Sequence, residues 1–81
     1  MNRKYVYHGI DITLDTYEKI CSVVEIIAEK DHQSFDEAYL KFSLTRVYSA
    51  LENTATMMWS ESAEYIVDEY YREIGMSRGA S

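Results

Sequence analysis

Proline is absent, and glycine occurs only at Gly9, Gly75 and Gly79. These are the residues that usually interrupt regular structure. Residues 10–74 hold neither, which favours helices joined by short polar connections. Cysteine occurs once, at Cys21, which excludes an intramolecular disulfide. Its position on the apolar side of a predicted helix makes it a small buried hydrophobe, because a nucleophile needs exposure and a neighbouring base. His8 and His32 are far apart, and no Cys, His and Asp cluster has metal-ligand spacing. No apolar run approaches the roughly 20 residues of a membrane span. No segment of secretory type opens the sequence. Basic residues are scarce, 8 against 14 acidic, and the net charge is −6. A nucleic-acid binder carries a basic patch, and none is legible beyond Arg3-Lys4. Direct nucleic-acid contact is therefore disfavoured, and a soluble, cytoplasmic protein without cofactor or metal is expected.

What is present is apolar content. Hydrophobic residues make up 47% of the 81, enough for a core and too much for a disordered chain. The length fits one domain and leaves it marginally stable alone. A protein partner is expected, and a second copy is the other way to complete so small a core.

Residues 1–12 form an N-terminal arm. Tyr5-Val6-Tyr7 favours an extended backbone and Gly9 a turn. Only one such segment exists, so no sheet is expected within the chain. The arm either packs Tyr5, Tyr7 or Ile10 onto the helices or adds a strand to the sheet edge of a partner.

The first helix is predicted over residues 14–31, capped by Thr13 or Asp11, with Asp15 and Glu18 at the positive end of its dipole. Leu14, Tyr17, Ile20, Cys21, Val24, Ile27 and Ala28 recur at three- and four-residue steps and define its buried stripe, which Val23 and Ile26 widen. Ser34-Phe35-Asp36-Glu37 is a capping box. It opens a second helix, over residues 35–42, that buries Phe35, Ala38, Tyr39 and Phe42. The apolar phase restarts at Ser43, which marks a break between separate helices or a kink in one. Leu44, Val47, Tyr48, Leu51 and Ala55 make the next stripe, which the weak helix formers Asn53-Thr54-Ala55-Thr56 end. Met57-Met58-Trp59 is either the lid of the core or an exposed contact.

The last helix takes Ser60 or Ser62 as its cap and has Glu61 and Glu64 at its start. Ala63, Ile66, Val67, Tyr70 and Ile74 are its core stripe, and Gly75 fits the left-handed position just past a helix end. Glu61, Glu64, Asp68, Glu69 and Glu73 make its outer face acidic, flanked by Tyr65 and Tyr71, with Arg72 nearly alone against them. Of the possible carboxylate pairs, Glu64 and Asp68 share a face. A working acid/base pair also needs a pocket that separates two pKa values, and short helices leave little room for one. No phosphate loop, nucleophile elbow or two-histidine metal motif occurs, so the chain reads as non-enzymatic.

From Ser34-Phe35-Asp36-Glu37-Ala38 to Ser62-Ala63-Glu64-Tyr65-Ile66-Val67-Asp68-Glu69-Tyr70-Tyr71, the chain resembles a family of small, uncharacterised bacterial helical proteins. Matching positions run from Val23 to Ala28 and include Glu37-Ala38, Phe42, Tyr48, Leu51, Tyr65-Ile66-Val67-Asp68 and Ile74. The resemblance spans residues 16–75. The family's glycine between the second and third helices is missing around Ser43, and Met57-Met58-Trp59 stands where its connecting histidine would be. Members are often encoded beside proteins similar to ADP-ribosyltransferases, in the arrangement of a toxin and its antitoxin. The resemblance implies a partner-binding protein, a neutraliser, and supplies no catalytic residue.

The expected fold is all-α, a small four-helix bundle with an extended N-terminal arm. Its limits are an arm over 1–12, a helical domain over 13–75 and a flexible tail over 76–81. The expected role is a non-enzymatic acidic module that regulates or neutralises a protein partner in the manner of an antitoxin. The alternatives are a phage or mobile-element inhibitor that mimics nucleic-acid charge and a structural homo-oligomer. The partner-binding candidates are Trp59, Glu61, Glu64, Tyr65, Asp68, Glu69 and Tyr71.

Overall fold

The computed structural model describes residues 5–79. A short hairpin, β1 (Val6–Tyr7) and β2 (Ile10–Asp11), leads into α1 (Thr13–Asp31), α2 (Phe35–Ser43) and α3 (Arg46–Glu52). Two 3-10 turns, Thr54–Thr56 and Met58–Ser60, then lead into α4 (Ala63–Gly79). The fold is the expected small all-α bundle of four helices.

The arm departs from expectation, because it pairs with itself. His8 (φ 50°) and Gly9 (φ 80°) are both left-handed, the backbone of a tight hairpin turn whose twist matches that of the strands. It sets Val6 opposite Asp11 and Tyr7 opposite Ile10. The Ile12 N–H donates to the Tyr5 carbonyl at 3.0 Å, and the Thr54 hydroxyl donates to the Val6 carbonyl at 2.8 Å. Tyr5 is buried and its hydroxyl donates to Glu52. Burial first, then that carboxylate, raises its pKa. Tyr7 is half-buried, while Ile10 faces solvent.

Helix α1 starts with the Asp11 carboxylate accepting the Thr13 N–H at 3.0 Å, so Asp11 satisfies an orphan donor and Thr13 lies inside the helix. It ends at His32 in the left-handed region, with the Gln33 N–H returning to the Ala28 carbonyl at 2.9 Å. Its buried face is Thr16, Ile20, Val23, Val24 and Ile27. Leu14 (70% exposed), Tyr17 and Cys21 therefore lie outside the core, a correction to the predicted stripe. The helix contacts α2 and α4, and both meet the side centred on Val23 and Ile27. That side includes Thr16, a residue an apolar pattern passes over.

The Ser34 capping box is complete: its hydroxyl accepts the Glu37 N–H at 3.1 Å, and the Glu37 carboxylate accepts the Ser34 N–H at 3.1 Å. Helix α2 buries only Ala38 and Phe42. Phe35 and Tyr39, expected in the core, are exposed on its flank. A real break follows at Leu44 and Thr45, where the Thr45 hydroxyl accepts the Tyr48 N–H at 3.2 Å and starts α3. Val47 and Leu51 are core and Tyr48 is half-buried. Leu44 and Ala55 are exposed, because Leu44 caps the end of α2 and Ala55 follows α3, so neither lies on the α3 stripe. The Phe42 ring meets Tyr48 and Tyr70 edge-on at 5.4 and 5.8 Å, tying α2, α3 and α4 together.

Helix α4 buries Ile66, Val67 and Tyr70 and packs Ala63 and Ile74 against the core edge. It runs through Gly75 to Gly79, so Gly75 does not stop it. A left-handed cap requires positive φ, and Gly75 has none. An interior glycine costs about 1 kcal/mol against alanine, which four turns of helix absorb. The tail expected over 76–81 is thus helical to Gly79, and residues 80–81 lie outside the described residues.

Candidate functional site

The Ser62 hydroxyl accepts the Tyr65 N–H at 3.1 Å, which sets the rotation of α4 at its first turn. With Ile66, Val67 and Tyr70 turned inward, Glu64, Tyr65, Asp68 and Arg72 are exposed together on the opposite side. Glu61 is exposed just before the helix. Tyr65, 45% exposed, offers a broad ring beside these carboxylates. Glu69 is partly buried and holds Arg72 at 2.9 Å, so the exposed arginine of this face is already paired.

The structure separates the remaining candidates from this face. Trp59 is half-buried; its indole N–H donates to the Thr54 carbonyl at 3.0 Å, and its ring meets Tyr7 at 5.4 Å. It clamps the hairpin onto the bundle. Met58 also packs against the core, while Met57, left-handed at φ 59°, is exposed and meets the Tyr7 hydroxyl through sulfur at 3.2 Å. Tyr71 is half-buried, and its hydroxyl donates to Asp31 at 2.8 Å. Burial first, then that carboxylate, raises its pKa.

Glu73, assigned by sequence to the acidic outer face, is turned inward. Its carboxylate accepts the Arg46 N–H at 2.9 Å and the Val47 N–H at 3.1 Å, so α4 caps the start of α3. Charged capping of orphan donors is among the stronger single interactions of a small domain. Nothing local in the sequence marks it, because acceptor and donors lie 26 and 27 residues apart.

Open grooves border the bundle. One, about 530 Å³, is lined by Asp31, Gln33, Lys41, Leu44, Tyr70, Tyr71 and Ile74. Another, about 330 Å³, runs beside Trp59 with Asp15, Glu18, Lys19, Ser22 and Ser60. Among the described residues, no group of three or more His, Cys, Asp or Glu side chains is placed to hold a metal ion. No helix among them is long and apolar enough to cross a membrane.

The class defined by this geometry is a small all-α bundle with a capped hairpin and an acidic outer helix face. No protein-family model, curated protein or solved structure matches the chain.

Proposed function

We propose that this domain is a non-catalytic binding module that takes a basic surface of a partner protein on the outer face of α4. Its effect is to restrain that partner, as the family resemblance over residues 16–75 implies. The observation that carries the reading is the joint exposure of Glu64, Tyr65 and Asp68, with Arg72 engaged by Glu69. Such a face attracts a positive patch and speeds encounter. A half-exposed tyrosine supplies contact area at low entropic cost. Trp59 and Tyr71 act behind the face, fixing the hairpin and the end of α1.

Co-expression with the product of the adjacent gene tests the reading. The expected result is co-purification that relieves any growth defect the partner causes, and loss of both on Glu64→Lys with Asp68→Lys. Failure to co-purify, or a complex indifferent to those charge reversals, overturns it.

A further inference from the structure

We infer that α2 is a self-association face, on which two copies of this chain meet antiparallel about a twofold axis. Helix α2 buries only Ala38 and Phe42. Leu40 is 62% exposed and Leu44, four residues on, is 81% exposed. Beside these leucines opens the 530 Å³ groove, whose lining includes Leu44, Tyr70 and Ile74. Projecting apolar side chains thus lie on one surface with a groove that is partly apolar and is edged by Asp31, Gln33 and Lys41. A twofold axis at the middle of α2 lets each copy place its leucines at the groove of the other, and the contact closes as a dimer rather than extending into a fibre.

Charge selects both the occupant and its direction. Lys41 lines the groove and Glu37 stands one helical turn before it; both are exposed, and the Glu37 carboxylate also holds the Ser34 N–H. An antiparallel twofold sets Glu37 of each copy against Lys41 of the other. A parallel one sets like against like. Opposed helix dipoles favour the same direction. The outer face of α4 cannot serve in this way, because a second copy there would bring Glu64 and Asp68 against their own equivalents. A contact of two leucines and one groove per copy is small, and small interfaces associate weakly and reversibly.

Sedimentation velocity on the full chain, over roughly a hundredfold range of protein concentration, tests this. The weight-average mass should rise from 9.5 kDa toward twice that value. Leu40→Glu with Leu44→Glu should hold the chain monomeric throughout, with an unchanged helical circular dichroism spectrum. Lys41→Glu, a surface change that leaves the core untouched, should weaken association about tenfold. Glu37→Gln, which keeps the capping box, should weaken it less, and Glu64→Gln should leave it unchanged. A wild-type chain monomeric at every concentration overturns the inference. So does a dimer that survives the leucine double variant, or one indifferent to Lys41→Glu should the double variant fail to fold.

Discussion

Helices α2 and α4 pack on the same α1 core and turn opposite chemistry outward. Helix α2 is held by two buried side chains, Ala38 and Phe42, and shows leucine to solvent. Helix α4 is held by Ile66, Val67 and Tyr70 and shows carboxylates. Both open with a serine hydroxyl bonded to a first-turn N–H, so the contrast is not one of local helix-starting signals. It lies in what each helix leaves uncovered. Exposed leucine pairs favour removal from water, whereas exposed carboxylates favour water or an opposite charge. The two faces therefore differ in the chemistry they offer.

The largest effect that would sharpen this comparison comes from Phe42→Ala. Helix α2 has little else to hold it, so the loss should be about 3–5 kcal/mol by urea unfolding. Amide exchange should show α2 opening before α4. Within α4 the inner and outer acids should part company. Glu73→Ala strands two N–H groups of α3 and should cost about 2 kcal/mol. Glu64→Gln on the hydrated face should stay within about 0.5 kcal/mol. Equal costs would erase the distinction between a structural and a free carboxylate.

In α1 the Thr16 hydroxyl is buried, with no hydrogen-bond partner among the described residues. Thr16→Val keeps the shape and removes that penalty, so thermal unfolding should report a gain of about 1 kcal/mol. The smallest expected effect is confined to alkaline pH. The pKa of Tyr71 is raised by burial and by Asp31 above its ordinary 10.0. Its stabilisation is thus complete below about pH 10 and is lost as pH rises through the higher folded value. Tyr71→Phe should flatten that alkaline decline in Tm and leave the shape of the profile at neutral pH unchanged.

The sequence carried the features set by neighbouring residues. The Ser34–Glu37 box, the break after Ser43 and the Ser62 cap depend on spacings of about three residues, and all three are present. The inward face of α4 was equally legible, because its apolar positions hold one phase. Features set by distant chain were not. The rotation of α1 depends on where α2 and α4 land, and it left Leu14, Tyr17 and Cys21 outside while drawing Thr16 in. The hairpin uses strands of two residues each, too short for an alternating pattern to register. Of the candidate site, Glu61, Glu64, Tyr65 and Asp68 are outward and Glu69 is partly buried against Arg72. Trp59 and Tyr71 hold tertiary contacts, to Tyr7 and Asp31, that residue type alone does not reveal. Leu40 and Leu44 carried a signal that composition obscured: two leucines one turn apart, outside the Ala38–Phe42 phase.

The proposed binding of a basic partner by α4 rests on charge. Calorimetric titration of the partner protein into this domain at increasing salt tests it most directly. Affinity should fall steeply as ions screen the face, and Glu64→Gln with Asp68→Asn should lower both the affinity and its salt slope. An affinity unchanged by salt and by that pair of substitutions would contradict charge-driven binding by α4.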